Sequence, residues 1–256
     1  MWRTLRITAL LLVLFVVAAT AWLDCAASRD WRETLWVGVY PVAGDDDPVT
    51  AAYVAALSRS GFLPIEAFFE REGRGYAVPA TPVHIELYPQ VAKAPPELPA
   101  DAGWLRTATW SLAIRWYASR AASQAGGPPP HIRVFVIYHA PSRLEVLPHS
   151  LGLAKGLIGV VHAYADRGHE GMNAVVIAHE LLHTLGATDK YDAATLLPRF
   201  PEGYAEPDRQ PRHPQPLAEI MAGRRAVGAR EAAMPDSLDD VVVGPATARE
   251  IAWVER

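Results

Sequence analysis

The chain has 256 residues, 50% of them hydrophobic and 20% charged, which excludes a disordered or collagen-like protein and leaves one ordinary globular domain as the default. Its 24 basic and 28 acidic residues give a formal charge of −4 without a long run of either sign, which argues against a nucleic-acid partner. A single cysteine, Cys25, excludes an internal disulfide and any zinc site built from several thiolates, so a bound metal must be held by Asp, Glu or the nine histidines.

Arg3 and Arg6 precede an apolar or small run from Ile7 to Leu23. As a helix that run would span roughly 25 Å, near the lower limit for crossing a bilayer. Residues 1–24 therefore read as a signal anchor, or as a signal peptide cut after Ala19-Thr20-Ala21, which has the small-x-small form of a cleavage site. In both cases the arginines hold the N-terminus in the cytoplasm and the rest of the chain is exported, membrane-anchored or secreted. Residues 25–34 read as a short polar stalk, and 35–256 as the working domain.

Leu35 to Val42 is strand-like, ended by Gly44 and three aspartates. Pro48 to Ser60 reads as a helix with Asp47 as N-cap and a proline at its first position. The Phe- and Glu-rich segment 62–78 is ambiguous. Pro82 to Val91 alternates like a half-buried strand, and Asp101 is placed to cap a helix running to Ala125, with Leu105, Leu112, Ile114 and Trp116 among its apolar residues. His131 to His139 reads as a strand buried on both faces, Gly156 to Ala165 as another strand, and Asn173 to Leu185 as a strongly apolar helix. Six prolines between Pro198 and Pro216 predict a long irregular loop, and Thr247 to Val254 a last short helix. This order of elements points to an α+β or α/β-like fold with helices packed on a sheet.

The chemistry lies in the helix at 173–185 and the turn after it. His179 and His183 are four apart, so on a helix both rings lie on one face and can address one metal ion. Glu180 is adjacent and can reach water at that ion without binding it, as a general base must. Gly186 can end the helix in a left-handed turn that swings Asp189 back as a third ligand, and three protein ligands leave the open position of a catalytic site.

The string His179-Glu180-x-x-His183-x-x-Gly186-x-x-Asp189 resembles the extended zinc motif of the metzincin metalloproteases, in the variant with aspartate as third ligand found in snapalysins. The resemblance implies Zn²⁺ held by His179, His183 and Asp189, a protein or peptide substrate, and a methionine turn for which Leu217 to Ala222, with Met221, is the candidate. It further implies a twisted mixed sheet with two long helices, an irregular lower subdomain and a C-terminal helix. Asp192 competes with Asp189 as third ligand, and no tyrosine directly follows Met221; Tyr191 and Tyr204 are the candidates to stabilise the transition state. On this reading Glu180 shuttles the proton from water to the leaving amine, and the strand at Gly156 to Ala165 is the sheet edge that pairs with an extended substrate. Two other functions compete: a zinc amide hydrolase acting on cell-wall material, and a non-catalytic exported zinc-binding protein. His139, His149, His162 and His169 read as structural histidines. Asp45-Asp46-Asp47 and the pair Asp166 and Glu170 read as loop carboxylates, without calcium-loop spacing.

Overall fold

The computed structural model describes residues 28–97, 103–144 and 146–254, with positions 2, 6–8 and 12 before them. The rest of the N-terminal apolar run, Cys25 and the expected cap Asp101 lie outside the described residues. Among the described residues, no helix is long and apolar enough to cross a membrane.

The fold is α+β. Five strands, β1 (Leu35–Ala43), β2 (Val83–Leu87), β3 (Ile132–His139), β4 (Leu151–Leu153) and β5 (Ile158–Tyr164), form one mixed sheet in the order β2-β1-β3-β5-β4. The pairs β1–β2, β1–β3 and β3–β5 are parallel; β4 alone runs antiparallel, on β5. β3 is buried almost throughout, as its unbroken apolar run requires at the centre of a parallel sheet covered on both faces.

The helices are α1 (Pro48–Ala55), α2 (Leu63–Gly73), α3 (Trp104–Ala125), α4 (Glu170–Thr184) and α5 (Pro245–Glu250). Asp47 does cap α1, its Oδ1 accepting from the Val49 N–H at 3.0 Å, but the helix stops at Ala55, short of Ser60. The ambiguous stretch resolves into α2, whose Ile65, Phe68 and Phe69 are fully buried. Burial of each such side chain contributes about 1.5–3 kcal/mol. α1, α2 and α4 share one core against the face of the sheet that carries Val39, Val134 and Val161. α3 covers the opposite face, where Ile114, Ala118 and Ala121 pack on Tyr40, Phe135 and Ile158.

Three expectations need correction. α3 begins at Trp104 behind Gly103, which offers no side-chain cap, and of its expected apolar residues only Ile114 is buried. Residues 28–34 are not a free stalk: Ser28 and Trp31 are buried, the Trp31 Nε1 donates to the Ile251 carbonyl at 2.7 Å, and its ring meets Trp253 edge-on at 5.7 Å. One indole anchors a segment whose average polarity conceals it. Finally, the strand at 156–165 is not the sheet edge, because β4 arises within the loop before it and pairs with Ile158 to Val160. The rest of the outer edge of β5 is occupied too: Ser150 Oγ accepts the His162 N–H at 3.0 Å, and the Asn173 amide bonds both the N–H and the carbonyl of Tyr164.

The stretch 198–216 is irregular, as its prolines predict. Beyond it come β6 (Ala218–Glu219), β7 (Arg225–Gly228), β8 (Glu231–Ala233) and β9 (Val241–Val242); β6 pairs with β9 and β7 with β8. They are too short to leave a periodic signal in the sequence.

Candidate metal centre

α4 is apolar on most sides because it is buried between the sheet and the irregular C-terminal region. Ala178, Leu181 and Leu182 are fully buried. His179 and His183 emerge one turn apart, their rings 4.7 Å between centroids and nearly perpendicular. Leu185 ends the helix, and Gly186 follows with φ +94°, a conformation that glycine adopts without strain. A side chain here would also collide with the Arg29 guanidinium, which lies directly over it. The turn returns the Ala187 carbonyl to His183 and brings Asp189 back over both rings.

Asp189 Oδ1 lies 3.3 Å from His179 Nε2 and 3.1 Å from His183 Nε2. Each ring is held from behind: His179 Nδ1 donates to the Ile220 carbonyl at 2.8 Å and His183 Nδ1 to the Ala187 carbonyl at 2.9 Å, partnerships that assign the tautomer. With those protons committed, both Nε2 atoms present lone pairs to an acceptor oxygen, and Asp189 Oδ1 is buried without a hydrogen-bond donor. Three acceptors facing one another need a proton or a metal ion between them. Donors about 2.0–2.1 Å from a tetrahedral ion stand roughly 3.3 Å apart, close to the separations here. The residues present therefore fit a metal ion.

A second proton on either ring would enter at Nε2, facing the carboxylate, which explains the electrostatics. Burial works to raise the Asp189 carboxyl, but the two histidines outweigh it and hold it well below the ordinary carboxylate range. Burial works to lower the His183 ring, but Asp189 and Glu180 outweigh it and leave it raised. Glu180 is 6% exposed, and its Oε2 also lacks a donor. Burial raises its pKa, against the opposing pull of His179 and His183. Among the described residues, His179, Glu180 and His183 form the one group of three with donor atoms within 4.8 Å of one another.

No protein-family model and no curated protein matches this chain. Among solved structures, OgpA from Akkermansia muciniphila is similar, at 13% identity and a TM-score of 0.36 over 84% of this chain and 58% of that one. The chain thus spans 58% of that protein's length.

The competing third ligand is otherwise engaged. Asp192 Oδ1 accepts from the N–H groups of Ala194 and Thr195 and from the Thr195 hydroxyl, closing a turn. Asp189→Ala is therefore expected to weaken the binding of added Zn²⁺, the probe for a metal at this group, by more than the roughly 10–100-fold that loss of an outer partner costs, and Asp192→Ala to leave it unchanged. Competition titration against a fluorescent chelator measures both, and the reverse ranking would exchange the two residues' roles.

The turn at Ile220–Ala222 supplies the carbonyl that orients His179, and the Met221 carbonyl accepts the Lys190 N–H at 2.8 Å. Met221 itself is fully buried. Tyr191 faces the same carboxylates: burial first, then Asp189 and Glu180, raises its phenol. Tyr204 instead bridges to Ala218 and packs against Phe200 and His213. Two elements went unread in the sequence. Lys190, 1% exposed, pairs with Glu250 at 2.7 Å beside Asp189, and Gly152 on β4 lies so close to α4 that a Cβ would stand 2.4 Å from the Glu180 carbonyl and from His183 Cβ. Only the chain's return to one place reveals either.

The remaining candidates are structural. Asp45 accepts the Asp47 and Ala140 N–H groups, Asp46 and Asp47 face Arg143, and Asp166 pairs with His169 at 2.7 Å. His139 and His162 bond each other, Nε2 to Nδ1 at 3.0 Å. Strand alternation puts them on the face away from α4, since Tyr138, Val161 and Ala163 belong to the core on that side. Burial, then His139, pulls the His162 ring down from 6.5 to about 4. Unfolded chains bind this proton near 6.5 and folded ones only near 4, so stability is whole above that window and falls as pH drops through it, by up to about 3 kcal/mol. Urea midpoints at pH 7 and 4.5 should show the loss, and His162→Gln should shrink it; a variant with an unchanged pH dependence would remove His162 as the cause.

Proposed function

We propose that the protein is an exported, zinc-dependent endopeptidase of the metzincin type, with His179, His183 and Asp189 as ligands and Glu180 as general base. One observation carries this reading: two histidine Nε2 atoms, their Nδ1 atoms held by backbone carbonyls, converge on a buried carboxylate oxygen of Asp189 that has no other partner, beside the buried carboxylate of Glu180. Zinc bound there supplies a Lewis acid that polarises the substrate carbonyl and acidifies water. Glu180 takes the proton from the attacking water and returns it to the leaving amine; its burial keeps it from being screened by solvent. The Ile220 and Ala187 carbonyls keep both imidazoles in the required tautomer. Met221 forms the apolar floor, and Tyr191 is the hydroxyl placed to stabilise the developing oxyanion.

An extended peptide pairs along β4, the last strand of the sheet, and not along β5. The Gly152 contact with α4 sets that strand directly beside Glu180 and His183. Export rests on the N-terminal basic and apolar pattern.

The test is the purified chain on casein, with and without a chelator and with zinc restored. Proteolysis that is lost with chelation and regained with zinc, together with about one zinc per chain by elemental analysis, is the expected result. Turnover of cell-wall fragments in place of casein moves the assignment to a non-peptide amide. Absence of zinc with the ligands intact overturns it.

A further inference from the structure

We propose that the outer face of α3 is a peripheral docking surface for an anionic lipid bilayer. α3 is apolar on two sides. Its inner side, Ile114, Ala118 and Ala121, covers the sheet. Its outer side carries Trp104, Leu105, Leu112 and Trp116, which are 78%, 61%, 68% and 66% exposed. At 100° per residue these four fall within about 120° of one another, on one face that also holds Arg115, Ser119 and Ser123. Large apolar side chains left in solvent together on one face of a helix mark a surface for a partner.

The charges identify the cover. Trp104 to Ala125 contains Arg106, Arg115 and Arg120 and no acidic residue, in a chain of net charge −4. Arg120 lies over the Trp116 ring at 5.6 Å, so cation and indole share one spot on the surface. Two tryptophans and two leucines flanked by arginines match the interface between acyl chains and anionic headgroups, where indoles and guanidinium groups are both favourably placed. A second copy of the chain suits the surface poorly, because a two-fold pairing of these faces sets the Arg120 guanidinium of one copy, seated over its Trp116 ring, toward that of the other without a carboxylate from either helix. Docking also leaves the metal centre open, since α4 lies on the other side of the sheet.

The full chain tests this with an environment-sensitive dye on Leu112→Cys in a Cys25→Ser background, and the same dye on Asp239→Cys, a highly exposed site on the other side of the sheet, as reference. Vesicles of phosphatidylcholine with one-third phosphatidylglycerol should shift the dye at 112 to the blue at about tenfold less lipid than phosphatidylcholine alone requires, and leave the dye at 239 unmoved. Adding Trp104→Ser and Trp116→Ser, both exposed, should raise the lipid requirement about tenfold with the circular dichroism spectrum retained. No shift at 112, equal shifts at both sites, or equal response to the two lipids overturns the proposal. A lipid-free shift that grows with protein concentration overturns it in favour of a second copy.

Discussion

Glu180→Gln is expected to lower peptide hydrolysis by about 10²–10⁴-fold while zinc stays near one per chain, the range associated with losing a positioned general base. The substitution keeps the shape of the side chain and removes only its ability to take a proton. Glu180 sits on the buried side of α4, and its Oε2 has no donor that a glutamine amide would have to replace. None of the three ligand atoms changes, so metal affinity should hold, whereas His183→Ala should lose the metal. Activity by casein cleavage and zinc by elemental analysis separate the two effects. Full activity in the Glu180 variant would sink the mechanism, and loss of zinc from it would make Glu180 a ligand.

Glu250→Ala should destabilise the fold by about 3 kcal/mol and loosen the metal centre with it. The Lys190 ammonium is buried and donates to Glu250 Oε2 at 2.7 Å, the Thr188 carbonyl at 2.9 Å and the Thr188 hydroxyl at 2.8 Å. Glu250 in turn accepts from the N–H and hydroxyl of Thr188, so both neighbours of Asp189 are tied to α5. Removing one partner of a buried pair strands the other charge, at about 3–5 kcal/mol. The lower figure applies because the Glu250 side chain is 31% exposed and water can reach the ammonium from that side. Replacing both, Lys190→Met with Glu250→Leu, should recover most of the loss. Urea denaturation of the single and double variants decides it; a double variant no better than the single one would mean the pair is not the source of the cost.

The convergence of His179, His183 and Asp189 was legible because helix geometry converts a spacing of four into a shared face, and because a glycine at a helix end predicts the reversal that returns Asp189. Both arguments are local. The burial of Trp31 was not legible, since it depends on the Ile251 carbonyl that a distant segment places alongside. β4 illustrates the point most directly. Three residues, Leu151 to Leu153, carry too little periodicity to read as a strand, yet they displace β5 from the sheet edge and move the proposed substrate track with them.

α3 shows the converse error. Its apolar residues were read together as packing residues, but a sequence cannot say which of two apolar faces meets the protein. Ile114 turned inward; Leu105, Leu112 and Trp116 did not.

By itself, the sequence determined which side chains stand together: two histidines a helical turn apart, a glutamate beside the first and an aspartate after a glycine. These are short-range relations, governed by the pitch of one helix and the φ of one residue. Only the tertiary structure decided which carboxylate faces the two histidines, which carbonyls orient the rings, where the sheet ends and which apolar face stays in solvent. Those outcomes depend on contacts between residues as far apart as Trp31 and Ile251, and long-range packing has no period to read.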